Sequence, residues 1–300
     1  MPQPKKVIVI VGPTAVGKTA LAIQLAQHFK TDIVSADSRQ FYRELEKATA
    51  KPTLEELGLI QHYGINSHSI ENYYSVGQYE HDALAWIKDI HQKADYALLV
   101  GGSGLYAKAV TEGLDEMPEI DFKIRQSLQE RLVDEGLIHL LLELQRLDPE
   151  HYRQIDKANP QRVLRALEVC LSVGQPYSSF RTGKAKVRPF DLIKIGITMP
   201  REKLYARIEA RMEAMLADGL LEEARALFPQ AHLPALQTVG YQEIFGYLRN
   251  EYDWQETHRL LMRNSRRYAK RQFTWFQRDT QINWFEATQI TDILAHIAKL

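Results

Sequence analysis

Continuous apolar runs and helical stripes alternate along the first hundred residues. Residues 7–11 read Val-Ile-Val-Ile-Val, with no polar position. A β-branched run of this kind is expected of a central parallel strand buried on both faces. A glycine-bearing turn follows, and over 18–29 the apolar positions recur at helical spacing. A second short strand is expected over 32–35, ending at Ala36-Asp37. A helix is expected over 78–92, capped by Ser75, and a third strand over 96–100. Strand, helix and strand in this order predict an α/β fold, a parallel sheet with helices on both sides.

From 121 to 172 the pattern is helical, without a convincing strand. Asn159-Pro160 suits a helix start, because Asn caps the first amides and Pro fits the first turn. Gly174-Gln175-Pro176 ends that helix. A strand is expected over 190–199, and everything beyond 201 reads mainly helical. The predicted organisation is a core formed by 1–120 and 189–300, interrupted by a helical insertion at 121–188.

Charge and composition narrow the class. With 38 basic and 38 acidic side chains in 300 residues, the formal charge is zero. No apolar run approaches the roughly 20 residues that cross a bilayer, and the polar stretch 1–6 followed by five apolar residues is too short for a signal-peptide core. The single cysteine, Cys170, excludes an internal disulfide and a cysteine metal cluster. These features predict a cytoplasmic protein. The zero total hides local excess: 259–278 carries seven basic residues and no acid, and 181–188 carries four more. Local potential decides what a surface attracts.

Gly12-Pro13-Thr14-Ala15-Val16-Gly17-Lys18-Thr19 matches G-x-x-x-x-G-K-[ST], directly after the first strand and before the first helix. In that context the glycines let successive amides cradle phosphate oxygens, Lys18 adds a full charge, and Thr19 can hold Mg²⁺. A P-loop-type core that binds a di- or triphosphate follows. Most loops of this kind serve nucleotide-binding proteins, ATP-binding kinases among them. Here, however, the third strand runs into Gly101-Gly102-Ser103-Gly104-Leu105-Tyr106, with glycine where a Mg²⁺-holding acid is common.

Asp37 stands at the tip of the second strand, where parallel sheets bind ligands. Three roles fit that position: a base on an attacking nucleophile, a helix cap, or a Mg²⁺ contact through water. Towards the C-terminus Arg259, Arg263, Arg266 and Lys270 fall within an arc of about 60° on a helix. Arg267, Arg271 and Arg278 extend that side, while Leu261, Tyr268, Trp275 and Phe276 lie more nearly opposite. With no acid interspersed, the stripe suits a phosphodiester backbone, and Arg162 and Arg165 suggest a second basic wall on the insertion.

Seven segments in chain order carry a resemblance: 12–19, Asp37-Ser38-Arg39-Gln40, Thr49-Ala50-Lys51-Pro52, 101–106, Asn159-Pro160-Gln161-Arg162 through Arg165, Val239-Gly240-Tyr241, and Lys270-Arg271-Gln272-Phe273-Thr274-Trp275. Together they resemble the tRNA dimethylallyltransferases, also called tRNA isopentenyltransferases. The chain departs from that family at Lys47-Ala48, where Ile-Gly is usual, at Ser103, where Thr is commoner, and at Gln242, where a basic residue is frequent.

The resemblance implies transfer of a dimethylallyl group from dimethylallyl diphosphate to the exocyclic N6 amine of the adenine 3′ of the anticodon in tRNA, releasing diphosphate. It implies a phosphate loop that binds the prenyl diphosphate rather than ATP, a requirement for Mg²⁺ held at Thr19, and a mobile helical insertion that clasps the anticodon stem-loop. Asp37 would be the base on the amine, with Lys18 and Ser103 in the catalytic group. Ser103 and Arg125 would contact RNA near the reacting centre, and Gln161, Arg162, Val163, Leu164 and Arg165 would grip the anticodon loop. Ser38, Arg39, Gln40, Gly240 and Tyr241, with Arg266, Lys270 and Arg271 of the stripe, complete the expected RNA-binding set. A monomer without membrane attachment is expected. A metabolite kinase would share the fold's beginning but leave the stripe unexplained, and an RNA-binding ATPase would form no prenyl product.

Overall fold

Strand β1 (Lys6–Val11) is buried along its apolar length. Ile8 and Ile10 enter one apolar cluster and Val7, Val9 and Val11 another, because successive side chains of a strand point to opposite faces. Each such side chain contributes roughly 1.5–3 kcal/mol by leaving water. The continuous Val/Ile run is therefore the requirement of a strand covered on both sides.

The computed structural model describes residues 4–300; Met1, Pro2 and Gln3, part of the polar N-terminal stretch, lie outside the described residues. After β1 come α1 (Lys18–Phe29), β2 (Ile33–Ser35), α2 (Leu54–Leu59), β3 (His62–Tyr63), α3 (Val76–His91), β4 (Tyr96–Gly101) and α4 (Gly104–Thr111). Four helices follow: α5 (Phe122–Asp134), α6 (Leu137–Leu147), α7 (Pro149–Gln154) and α8 (Pro160–Val173). The chain then forms β5 (Asp191–Thr198), α9 (Arg201–Ala217), α10 (Leu220–Leu227), α11 (Tyr241–Leu248), α12 (Trp254–Phe276), β6 (Asn283–Glu286) and α13 (Ile290–Ile297). The six strands make one parallel sheet in the order β3-β2-β4-β1-β5-β6. The α/β class expected from the alternation is the class observed.

Two compact units result, one from the chain up to Glu112 together with Val187–Leu300, the other from Gly113–Lys186. In the first, α1, α9 and α13 supply apolar side chains to the cluster around Ile8 and Ile10, while α3 and α4 cover the opposite face. A third cluster joins α9 to α12 through Met212, Leu220, Phe245 and Leu261.

Local signals explain most boundaries. Helix α3 begins at Val76, two residues before the expected start, because Ser75 accepts from the Gln78 amide while Gln78 reaches back to the Ser75 amide. That reciprocal capping box fixes the first turn. Beyond 201 the chain is mainly helical, as expected, but the short strands β6 and, earlier in the chain, β3 were not foreseen. Both are edge strands, of four and two residues, too short to show a period.

Register sets the site. Val11 pairs with Gly101 and with Gly196, and Ser35 with Val100. Strands β1, β2 and β4 therefore finish level, and Gly12, Ala36 and Gly102 leave the sheet along one edge.

In the helical unit, α5 to α8 enclose Leu128, Leu140, Leu144, Val163 and Leu167. Asn159 accepts from the Arg162 amide (3.2 Å), Pro160 opens α8, and Gly174 closes it with φ 66°. Asp148, fully buried, caps α7 at the His151 amide (2.9 Å) and binds the Ser178 amide (2.7 Å) and hydroxyl (2.8 Å).

Candidate active site

The turn from β1 to α1 folds as a phosphate loop. Gly12 (φ 150°) and Gly17 (φ 106°) take backbone conformations that a side chain would strain. Gly17 is also the N-cap of α1 and has no side chain to bond the first-turn amides. Those amides and the helix dipole favour an anion. Val16 is a core side chain, so only its backbone can serve a ligand. Lys18 Nζ folds back across the loop, donating to the carbonyls of Gly12 (2.9 Å) and Pro13 (2.7 Å).

A cavity of about 350 Å³ opens beside this loop, with Lys18, Thr19, Asp37, Arg207, Arg211 and Tyr268 on its walls. Loss of hydration lowers the Lys18 pKa from 10.5 to about 8; the Asp37 carboxylate opposes that shift and Arg211 adds to it. Burial likewise holds Arg211 below its ordinary value, opposed by Asp37 and reinforced by Arg207. Arg211 Nη1 donates to Thr14 Oγ1 at 3.3 Å. Three cations and one carboxylate thus face one partly desolvated space.

Sequence reasoning missed Arg207 and Arg211. Their i,i+4 spacing on α9 was the available signal, but such spacing equally describes a solvated helix face. Met212 and Met215, which add apolar wall from the same helix, were missed for the same reason.

Asp37 is half-buried just beyond β2, and its Oδ1 accepts from the Arg39 amide at 3.0 Å. That is an Asx turn; no helix begins there, so the helix-cap reading is corrected. Its neighbours are tied into the fold. The Ser38 amide donates to Ser103 Oγ (3.0 Å), and Ser103 Oγ donates to Ser38 Oγ (3.1 Å). The Tyr268 hydroxyl lies beside the same Ser103. Arg39 reaches the carbonyls of Pro234 (3.2 Å) and Gln237 (3.3 Å). Gln40 accepts from Ser35 Oγ (3.0 Å) and donates to the carbonyls of Thr49 (3.3 Å) and Ala50 (3.0 Å), fastening the loop that lines the cavity.

The departure at Lys47 also has a local partner. Lys47 Nζ pairs with Asp218 (2.8 Å), and its amide donates to Glu223 (3.0 Å).

Several expected RNA-binding residues need correction. Val163 and Leu164 are 0% and 3% exposed in the core of the helical unit, on the face of α8 opposite solvent. Gln161 and Arg162 are exposed on that helix. Within the same unit the Arg125 guanidinium forks onto Glu168 (3.0 and 3.3 Å), and Arg165 meets the same carboxylate at 3.3 Å. Tyr241 is fully buried with its hydroxyl on Glu223, and Gly240 is buried beside it. Both pack rather than present a surface.

The basic stripe is not free of acids in three dimensions. Arg259 pairs with Glu256 at 2.6 Å, Arg266 with Glu209, and His258 with Glu213 at 2.7 Å. Two of these acids come from α9, beyond the reach of a local charge count. Arg267, next to Arg266, and Lys270 and Arg271, about one turn further on, are exposed, and Arg271 lies over the Tyr268 ring. Tyr268, placed nearly opposite the stripe, lines the cavity.

Residues 40–279 match the protein family described as IPP transferase. The chain belongs to the IPP transferase family. A tRNA dimethylallyltransferase of Cytophaga hutchinsonii is 49% identical over 297 residues, spanning 99% of this chain and 98% of the relative. The crystal structure of a full-length tRNA isopentenylpyrophosphate transferase from Bacillus halodurans superimposes with a TM-score of 0.72 at 34% identity, covering 98% of this chain and 96% of the other. A eukaryotic dimethylallyltransferase acting on tRNA gives 0.79 at 25% identity, with 98% and 77% covered. The IPP transferase match begins after the phosphate loop and Asp37, but the alignment with the Cytophaga relative covers nearly all of the chain.

In this IPP transferase the first residue to test is one that the motifs do not contain. Arg211→Met is expected to weaken binding of inorganic diphosphate about 10–100-fold, the loss of one or two charge-assisted contacts of roughly 1.5–3 kcal/mol. Arg207→Met, at the more exposed position, is expected to cost less. Isothermal titration calorimetry checks both, and negligible losses in both would place the ligand away from α9.

Proposed function

We propose that this protein transfers a dimethylallyl group from dimethylallyl diphosphate to the exocyclic N6 amine of the adenine 3′ of the anticodon in tRNA, releasing diphosphate. The observation that carries this reading is one cavity lined by the phosphate-loop lysine, two arginines of α9 and a carboxylate at the tip of β2. A leaving group and a nucleophile need those two kinds of residue.

The chemistry follows from the reactants. An adenine amine is a weak nucleophile because its lone pair is delocalised into the ring. The allylic carbon compensates, since positive charge developing there is shared by resonance. The C–O bond to diphosphate breaks, the C–N bond to N6 forms, and one N6 proton must leave. Lys18, Arg211 and the loop amides stabilise charge on the departing diphosphate. Asp37 accepts the proton, a role worth roughly 10²–10⁴-fold in rate. Ser103, held by Ser38, lines up the acceptor side. The base must leave its stack to enter the cavity, at a cost of roughly a few kcal/mol that is lowest in a single-stranded loop.

Mg²⁺ fits the donors in one particular way. Among the described residues no group of three or more His, Cys, Asp or Glu could hold a metal ion. Mg²⁺ commonly keeps several waters and binds through one or two protein oxygens plus substrate phosphates. The Thr19 hydroxyl in the cavity wall would be its protein ligand. When bound, the ion would supply further neutralisation of the leaving diphosphate.

For RNA, the exposed Lys270 and Arg271 are the better candidates in the stripe, with Gln161 and Arg162 on the helical unit. Arg266 is already committed to Glu209. We read the protein as a monomer acting on tRNA in the cytoplasm; no helix among the described residues is long and apolar enough to cross a membrane. A kinase reading is less favoured because β4 ends at Gly101-Gly102, without an acid there for a nucleotide's Mg²⁺.

Incubation with dimethylallyl diphosphate, Mg²⁺ and an anticodon stem-loop, followed by nucleoside mass analysis, should show one adenosine heavier by a dimethylallyl unit. In the same assay Asp37→Asn should lower kcat roughly 10²–10⁴-fold while RNA affinity stays within about threefold; equal losses in both would make Asp37 structural. Replacing Lys270 and Arg271 with Ala should weaken stem-loop binding and reduce the salt slope by about one to two. Arg266→Ala should change that slope little, and the reverse ranking would return the RNA to the acid-paired end of the helix.

A further inference from the structure

Helix α12 sends one uncharged side chain under the active site. Gln272 is 6% exposed, and both ends of its amide are committed. Oε1 accepts from the Thr14 amide at 2.8 Å, and Nε2 donates to the Gly102 carbonyl at 2.9 Å. A backbone amide offers only a donor and a carbonyl only an acceptor, so the amide has one possible orientation.

The two groups it joins belong to neighbouring strands just past their ends. Strands β1 and β4 pair as far as Val11 and Gly101. Beyond that rung the loop after β1 turns away to form the phosphate cradle, and the chain after β4 turns into α4. Gln272 supplies the next link between them through a side chain. Gly102 has to be a glycine for this link to form: a Cβ there would stand 2.3 Å from Gln272 Nε2.

Each end of the bridge leads to a different half of the site. Thr14 is also held through its hydroxyl by Arg211, so one residue of the phosphate loop is gripped from α12 and α9 together. Gly102 precedes Ser103, whose hydroxyl takes the Ser38 amide next to Asp37. The donor side and the acceptor side thus share one hydrogen-bonded strut.

We infer that Gln272 is a positioning residue that sets the separation between the phosphate loop and the strand tip bearing Ser103 and Asp37. The inference rests on the transfer reaction proposed above and deepens it. Group transfer between two bound reactants is steeply sensitive to such spacing, and a displacement of about 1 Å can cost roughly 10²-fold.

The chemistry of the bridge selects the variants. Gln272→Met preserves length and volume but removes both hydrogen bonds. Gln272→Glu preserves the acceptor for Thr14 and, while ionised, sets a carboxylate against the Gly102 carbonyl. On protonation it regains a donor. Buried carboxyls titrate above their ordinary range, so this variant should recover at mildly acidic pH.

With full-length protein, Gln272→Met is expected to lower kcat about 10²-fold, leave the KM for the stem-loop within about threefold, and weaken inorganic diphosphate binding at least about tenfold. The ratio of Gln272→Glu to wild-type kcat is expected to rise at least about tenfold from pH 8 to pH 6. A purely packing role would not produce that recovery. A Gln272→Met kcat and diphosphate affinity both within about threefold of wild type, or a Gln272→Glu profile parallel to wild type, overturns the inference. Absence of prenylated product from the wild type overturns the transfer reading instead, and calorimetry with diphosphate still decides whether Gln272 holds the loop.

Discussion

Arg211 lowers the pKa of Lys18, Arg207 lowers that of Arg211, and loss of hydration lowers both; Asp37 alone among these groups opposes the trend. Charges so placed are costly until a polyanion joins them, and in a medium of low effective dielectric their attraction to phosphate oxygens is several-fold stronger than in water. Much of the architecture serves this arrangement. The apolar run of β1 anchors the loop bearing Lys18, α9 carries the two arginines to the cavity, and β2 ends where Asp37 can face them. The hydrogen bonds of Gln40, Ser103 and Gln272 hold the surrounding backbone in place. Asp37 balances the cations before a ligand arrives, and in the proposed transfer it would also take the proton.

How much of this was legible depended on whether the cause was local. The Val/Ile run of β1, the Ser75 capping box and the Asn159-Pro160 start each act within a few residues, and each element formed where those signals lie. The phosphate loop was legible because its glycines, Lys18 and Thr19 sit in one turn between a strand and a helix. Strands β3 and β6 were not, since edge strands of two and four residues leave no periodicity. Arg207 and Arg211 resemble any arginines on a long helix until the fold turns them inward. Gln272 was given no role of its own within its family segment, although its neutral amide is what allows it to donate and accept at once.

The errors in the RNA-binding set have the same origin. Val163 and Leu164 were included because they lie between Gln161 and Arg165, yet helical geometry already separates them onto the buried face of α8. Arg266 looked free because no acid is near it in sequence, whereas Glu209 reaches it across 57 positions. Tyr241 belongs to a family segment, but its hydroxyl is spent on Glu223, the carboxylate that also fastens the Lys47 amide. Family motifs mark residues a fold needs, and that need is often packing rather than contact with a partner.

The protonation of Lys18 tests the buried-charge arrangement most directly. Its pKa is about 8 in the protein alone, so near pH 9 the side chain is largely neutral, and a bound polyanion should return it to the charged form. Titration of dimethylallyl diphosphate into the protein, in buffers of different ionisation enthalpy, measures the protons taken up on binding. The expected result is uptake approaching one proton at about pH 9, little below about pH 7, and loss of the uptake in Lys18→Met. Binding without pH-dependent uptake, or uptake that persists in Lys18→Met, would contradict a cavity organised around that half-buried lysine.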